Sequence, residues 1–349
     1  MFYNPKDAEH DPVTHYSDSE LTEHPEKPRR SKTILSAIKN GFKGVTWVEC
    51  DREATDEELE SVHSAQLVHF INNAWESLYR HSKKEDQELL VSAFPTLSHG
   101  VAHIPQALHL QTGHYCFDMS TPIAKNTARL ARISAGIAID SAKRVASSLD
   151  EPFRVLRYVL ARPPGHHSTR EKYGGYCYFN NIALAAQELS KYGKVAILDV
   201  DYHHGNGTQD IFYDREDVLF VSIHADPEYE YPWYSGTAEE IGINKGIHCN
   251  RNFPLPAETD WEEYKPAFLE AVDLITNFNP RVLLVALGVD TADGEPFCVF
   301  HLKPEDYHQM GTTIRNIGKP VFVFQEGGYS DDVTLGSCVS SFLRGLTQC

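Results

Sequence analysis

Residues 195–210 have the sequence VAILDVDYHHGNGTQD, in which an apolar run passes directly into carboxylates, imidazoles and glycines. The run Val195–Val200 is short and rich in β-branched residues, as is typical of a strand buried inside a parallel sheet. The polar residues that follow are the kind that line a functional site at a strand end. The stretch therefore predicts both a sheet and a place for chemistry.

The same alternation recurs along the chain and predicts an α/β fold with a mainly parallel central sheet and helices on both faces. We expect one domain over residues 1–349, in which residues 1–32 form a polar N-terminal arm. Thr55 and Glu58 have the spacing of a capping box that opens a helix. The predicted strands are Val155–Ala161, Val195–Val200, Val218–Ile223, Val282–Leu287 and Val321–Phe324. The predicted helices are Thr33–Asn40, Asn126–Leu149, Asn181–Tyr192, Trp261–Phe278 and Pro304–Ile317.

Four of these strands end in polar clusters that contain Arg162-Pro-Pro-Gly-His166-His167, Asp199 to Gly207, Gly288-Val-Asp290 and Glu326-Gly-Gly-Tyr329. The carboxyl ends of parallel strands lie along one edge of the sheet, so all four clusters should meet in one crevice.

Asp201, His203 and Asp290 make a suitable ligand set for a catalytic zinc ion, which takes three protein ligands and keeps one position open. An isolated Asp-x-His pair more often lies in a solvated loop. The convergence with Asp290 and a histidine pair favours the metal site instead.

His166 or His167 could act as a general base, since imidazole titrates near neutral pH. Asp199 and Asn206 could orient these rings. Tyr329 follows two glycines and could donate a hydrogen bond to an oxyanion. Taken singly, each could also be an ordinary loop or core residue.

A formal net charge of −17 makes nucleic acid an unsuitable partner and favours cations in acidic clefts. Seven scattered cysteines without a Cys-x-x-Cys pair give no disulfide framework. The N-terminus lacks the pattern of a signal peptide, and no apolar run is long enough to span a membrane. We therefore expect a cytoplasmic protein.

The motifs RPPGHH, GGYCYFNN, ILDVDYHHGNGTQDIFY, HADPEYEYP, LGVDT and EGGY occur in that order between Ala161 and Tyr329. In these motifs the chain resembles the histone deacetylase superfamily, and most closely the acetylpolyamine amidohydrolases. The resemblance implies an arginase-deacetylase fold. It also implies a hydrolase that removes acetyl groups from acetylated amines and releases acetate.

The resemblance assigns roles to residues in this numbering. Zinc would be held by Asp201, His203 and Asp290, although Fe²⁺ can occupy such sites. His167 would be the general base and later acid, His166 its electrostatic neighbour, and Tyr329 the oxyanion donor. A structural potassium ion would be bound by Asp199, Asp201, His203, Ser222 and Ile223.

For the substrate, the resemblance implies a tunnel with walls at Tyr176 and Tyr231, and possible contributions from Tyr234, Gly175, Asp118 and Phe297. Acidic residues that receive ammonium groups in the family are replaced here by His109 and Ser120, although Asp118 lies close by. The implied substrate is a small cationic acetylated amine, and a protein acetyl-lysine remains the alternative. The family's dimers predict a homodimer built by residues 7–30 and 92–122.

Two further classes remain open from the sequence. A dinuclear manganese ureohydrolase would need additional metal carboxylates. A non-catalytic protein that binds acetylated amines would not need the groups that turnover requires.

Overall fold

The central sheet has eight strands in the computed structural model, which describes residues 1–17, 20–96, 103–149 and 156–347. The described residues form ten strands. In chain order they are β1 (Phe2–Tyr3), β2 (Thr14–Ser17), β3 (Glu20–Glu23), β4 (Val48–Glu49), β5 (Arg157–Leu160), β6 (Val195–Asp199), β7 (Val218–Ala225), β8 (Asn250–Leu255), β9 (Val282–Leu287) and β10 (Val321–Gln325). Of these, β2 and β3 lie outside the central sheet. The order across the sheet is β4-β1-β5-β10-β9-β6-β7-β8, and every neighbouring pair is parallel. The predicted fold class is therefore confirmed.

Helices cover both faces of this sheet. They are α1 (Arg29–Gly41), α2 (Asp56–Glu60), α3 (Ala65–Ser82), α4 (Thr112–Tyr115), α5 (Thr127–Ala146), α6 (Asn181–Leu189), α7 (Asn206–Phe212), α8 (Trp261–Phe278), α9 (Pro304–Asn316) and α10 (Asp332–Thr347). Ala196 and Leu198 of β6 pack in one core with α1, α8, α9 and α10, whereas Val195 and Ile197 pack in another with α5 and α6. Successive strand side chains point to opposite faces, so a strand covered on both faces is apolar throughout.

The predicted elements agree with the observed ones to within a few residues. The strand at 282–287 and the helix at 261–278 have the predicted bounds. Thr55 and Glu58 form the predicted capping box at the start of α2. The beginning of the first predicted strand, Val155, lies outside the described residues.

The N-terminal arm predicted at residues 1–32 contains short strands and the start of α1. Phe2 and Tyr3 form a strand between β4 and β5, and β2 pairs with β3 as an antiparallel hairpin. A two-residue strand is too short to show a periodic pattern. The arm is consequently part of the fold that supports the site.

In the described part of the chain, no helix combines the length and the apolar character that a membrane span requires.

Candidate metal centre and catalytic site

The carboxyl ends of β5, β6, β9 and β10 open into one cavity of about 710 Å³. Asp199, the last residue of β6, lies opposite Ala286, the last residue but one of β9, so the loops after these two strands start at nearly the same level. The predicted site residues that line the cavity are Asp118, His166, His167, Gly175, Tyr176, Asp201, His203, Tyr231, Phe297 and Tyr329. Asp290 lies fully buried beneath them.

Two of the predicted metal ligands, Asp201 and Asp290, each bring a carboxylate oxygen close to the third, His203. Nδ1 of His203 lies 3.4 Å from Oδ1 of Asp201 and 3.3 Å from Oδ2 of Asp290. A methyl group added to Gly327 would lie 2.7 Å from Oδ2 of Asp201 and 2.2 Å from Oδ2 of Asp290. Glycine at this position therefore leaves room for the two carboxylates to approach each other.

The donor set fits a cation. Among the described residues, Oδ2 of Asp290 is buried without a hydrogen-bond partner, which is costly unless something else satisfies it. Burial and the neighbouring charge of Asp201 raise the pKa of Asp290 to about 6. A bound cation would relieve that repulsion.

Cys298 offers a second possible donor set, because its sulfur lies within 4.8 Å of ligand atoms of His203 and Asp290. Burial, followed by the charge of Asp290, raises the pKa of the Cys298 thiol well above its ordinary value. Metal coordination needs the thiolate. The buried carboxylate of Asp201 is thus the better third ligand, and two carboxylates with one imidazole suit zinc.

The two histidines of the predicted pair have different partners although their rings are only 4.0 Å apart. Nδ1 of His166 lies 3.0 Å from Oδ2 of Asp199, and Nδ1 of His167 lies 2.7 Å from Oδ1 of Asn206. An amide oxygen only accepts, so His167 must donate from Nδ1, which leaves Nε2 free to accept a proton.

The charges of the pair differ accordingly. Burial acts to lower the pKa of His166, but Asp201 and Asp199 outweigh it and raise the pKa to about 10. Burial, and then the positive charge of His166, lower the pKa of His167 well below its ordinary value. At neutral pH, His166 is cationic and His167 is a neutral base.

Two residues that were not predicted from the sequence, Glu295 and Arg30, hold Tyr329 in position. Its backbone N–H donates to both carboxylate oxygens of Glu295, at 3.0 and 2.9 Å. The guanidinium of Arg30 lies 4.6 Å from the centre of its ring. Burial raises the pKa of the Tyr329 phenol well above its ordinary value, so it remains a proton donor.

A buried ion cluster joins the N-terminal arm to these catalytic loops. Glu26 is fully buried and pairs with Arg30 at 3.0 Å and with Nη2 of Arg162 at 2.9 Å. Arg30 also donates to the backbone carbonyls of Glu326 and Gly328, which lead to Tyr329. Arg162 begins the loop that carries the histidine pair, so one carboxylate anchors both loops.

The predicted potassium set is adjacent in the sheet. Asp199 and Ser222 are register partners on neighbouring strands, and Ile223 follows Ser222. The Asp199 carboxylate also accepts from the backbone N–H of Asp201 at 3.1 Å, and the Ser222 hydroxyl lies 2.8 Å from Nδ1 of His224.

The predicted tunnel walls flank the catalytic groups. The Tyr231 ring lies 5.0 Å from the His167 ring, and the Tyr176 ring lies 5.8 Å from the Tyr329 ring. Phe297 lies 6.4 Å from Tyr329, at the rim.

Asp118 lies in the wall as expected, but its carboxylate is already well bonded. Oδ2 accepts from the Tyr231 hydroxyl at 3.1 Å and from the N–H of Gly175, while Oδ1 accepts from the N–H of Ser120 at 2.9 Å. Asp118 therefore ties together the loops that form the tunnel.

Tyr234 does not contribute to the described wall, since it is 95% exposed while its neighbour Trp233 lines the cavity. His109 is bonded to Ser77 away from the cavity. His15 of the β2–β3 hairpin, missed in the sequence, lies 2.9 Å from the Tyr176 hydroxyl and also lines the cavity. No local pattern marked it, because the contact joins residues far apart in the chain.

Comparison with known proteins identifies the family. Residues 24–346 match the family model of the histone deacetylase domain. The chain is 40% identical over 307 residues to acetylpolyamine amidohydrolase 2 of Pseudomonas aeruginosa, covering 87% of this chain and 86% of that one. It is 38% identical over 324 residues to the acetylpolyamine amidohydrolase of Mycoplana ramosa, covering 92% of each. A crystal structure of an acetylpolyamine aminohydrolase from Burkholderia pseudomallei superposes with a TM-score of 0.90 at 29% identity, covering 99% of this chain and 98% of that one.

Proposed function

Because the chain belongs to the histone deacetylase family, we propose that it is a zinc-dependent amidohydrolase that removes acetyl groups from acetylated polyamines or similar aliphatic amines. The observation that carries the proposal is the convergence of Asp201, His203 and Asp290 beside a neutral His167 and the Tyr329 phenol. The acetylpolyamine amidohydrolases among its relatives support the substrate class.

Asp201, His203 and Asp290 would hold the zinc ion. When bound, zinc supplies a Lewis acid for the acetyl carbonyl and for the attacking water. Fe²⁺ is the alternative metal, since ligand affinity alone does not decide occupancy.

His167 moves the proton in this proposal. Its Nε2 accepts a proton from the water as the water attacks the acetyl carbon, while Asn206 holds Nδ1. The same Nε2 then returns the proton to the amine nitrogen as the C–N bond breaks. The products are acetate and the free amine.

Tyr329 stabilises the negative charge that develops on the carbonyl oxygen, and His166 keeps His167 unprotonated before the reaction. The Tyr329 hydroxyl donates a hydrogen bond to the carbonyl oxygen as it becomes negative. The cationic His166 keeps the pKa of His167 low before the reaction, and Asp201 and Asp199 offset the desolvation of that cation. A structural potassium ion held at Asp199 and Ser222 forms part of the same proposal.

Acetate release tests the proposal. The zinc-loaded protein should hydrolyse acetylputrescine, acetylcadaverine and acetylspermidine faster than an acetyl-lysine peptide. Chelation should abolish activity, and added zinc should restore it. Preference for the peptide would replace the proposed substrate class, and two manganese ions per chain would favour a ureohydrolase.

We also propose a homodimer in which the N-terminal arm takes part. Every residue of β3 is exposed, and Leu21 within it is 72% exposed, so this edge is accessible to a partner. The part of the proposed interface at residues 97–102 lies outside the described residues. Light scattering at micromolar concentration should give twice the chain mass of 39.4 kDa, and a monomer alone would refute this.

A further inference from the structure

The mouth of the cavity is formed by exposed apolar and aromatic side chains. Each is between 38% and 56% exposed, although large apolar residues are usually covered. They are Phe94, Met119, Tyr229, Trp233, Phe297 and Val299. Such a patch around an opening marks a surface that binds something.

The charges around the cavity favour a cation. Among the described residues that line it, there is no lysine or arginine, and the cationic His166 is outnumbered by the carboxylates of Asp118, Asp201 and Glu230. The chain as a whole carries a formal net charge of −17, which raises the local concentration of cations.

These carboxylates do not stand at the mouth. Asp201 belongs to the metal centre. The Glu230 side chain is 21% exposed, but Oε1 accepts from the backbone N–H of Tyr231 at 2.9 Å and Oε2 accepts from the Tyr202 hydroxyl at 3.0 Å. The Asp118 carboxylate already accepts hydrogen bonds from Gly175 and Tyr231 in the loops that form the tunnel wall. An ammonium group that extends outward past the tyrosine walls would therefore meet aromatic faces.

Trp233 lies where the outward-pointing ammonium group of such a substrate would be. Tyr231 contacts the His167 ring at 5.0 Å and the Trp233 ring at 5.4 Å, so Trp233 stands one ring further out than the wall. Trp233 is 56% exposed and has a φ of +58°, a left-handed conformation that is unusual for a bulky residue. Strained backbone of this kind concentrates at ligand-binding positions.

We propose that Trp233 forms a recognition subsite for the distal ammonium group of the acetylated amine, which the indole face binds by a cation–π interaction. The inference rests on the proposed function and narrows its substrate class to acetylated diamines and polyamines with a free ammonium beyond the tyrosine walls. Neutral acetylamides of the same length would lack this contact.

Binding is measured by calorimetry in a Tyr329→Phe background, so that turnover does not interfere. The probes are N-acetylcadaverine and N-pentylacetamide, which match in chain length and differ in the ammonium group. The variants are Trp233→Ala and Trp233→Phe, and the matched control is Tyr234→Ala, an adjacent aromatic that is 95% exposed.

We expect Trp233→Ala to weaken N-acetylcadaverine binding about two- to tenfold and to leave N-pentylacetamide unchanged. Trp233→Phe should give a smaller loss, because phenylalanine keeps an aromatic face, and Tyr234→Ala should give none. Equal losses for both probes, or no loss for either, would overturn the subsite. Acetate release by the wild-type protein is scored separately, so failure of the proposed deacetylation is distinguishable from failure of the subsite.

Discussion

Replacing Glu26 with Gln should destabilise the protein, because this carboxylate is the shared partner of two buried arginines. Glutamine keeps the shape of the side chain and removes its negative charge, so Arg30 and Arg162 remain buried with no carboxylate to balance their positive charges. Breaking a buried ion pair from one side costs about 3–5 kcal/mol. A chain of 349 residues has an unfolding entropy of about 0.7 kcal/mol per kelvin, so the melting temperature should fall by about 4–7 °C.

Differential scanning calorimetry measures this loss, and Glu23→Gln is the matched control. The Glu23 side chain is 81% exposed and pairs with Lys27 at 3.5 Å, and such surface pairs contribute about 0–1 kcal/mol. The control should therefore melt within about 1.5 °C of the wild type. If Glu26→Gln also melts within that margin, Glu26 does not hold the arm to the catalytic loops.

The pH dependence gives a second measurement of the same cluster. Burial acts to raise the pKa of Glu26, but Arg162 and Arg30 outweigh it and lower the pKa below the ordinary value of 4.5. The folded state thus favours the ionised form, and its contribution is present above pH 4.5 and is lost as the pH falls further. The difference in stability between the wild type and Glu26→Gln should shrink in acid.

Three further predictions concern the reaction itself. Tyr329→Phe should lower kcat about 100- to 1000-fold without changing the zinc content, and an unchanged kcat would remove Tyr329 from the mechanism. His166→Ala should move the acid limb of the kcat/KM profile to higher pH, because loss of its positive charge lets the pKa of His167 rise; an unmoved limb would contradict the coupling. Asp201→Ala should lower zinc affinity in a chelator competition, whereas Cys298→Ser should leave it unchanged, and the reverse result would select the donor set of His203, Asp290 and Cys298.

The central sheet could be predicted because its buried strands carry a strong local signal. Residues 282–287 are apolar throughout, and the predicted and observed strands coincide. Residues 250–255, NRNFPL, form the edge strand β8 but contain two asparagines and a proline, so they lack that signal. The sheet's other missed strands have only two residues each.

That the candidate metal ligands lie together could be predicted, because each follows a recognisable strand and parallel strands end at one edge. Residues that join distant parts of the chain could not be predicted in this way. Glu26 contacts Arg162 across 136 positions, and Glu295 contacts the Tyr329 backbone across 34. Trp233 was missed because its exposure and backbone conformation are properties of the folded loop.

The different protonation states of His166 and His167 follow from the different groups that each ring contacts. Both rings are buried to within a few per cent, and they lie 4.0 Å apart, so burial alone would disfavour a charge on either. His166 faces two carboxylates, that of Asp201 at 3.8 Å from Nε2 and that of Asp199 at 3.0 Å from Nδ1, whereas Asn206 offers His167 a neutral amide. The first ring therefore holds a positive charge, and that charge lowers the proton affinity of the second, since two adjacent imidazolium ions would repel each other. The pair thus keeps one neutral imidazole facing the metal ligands, which is the protonation state that a general base requires.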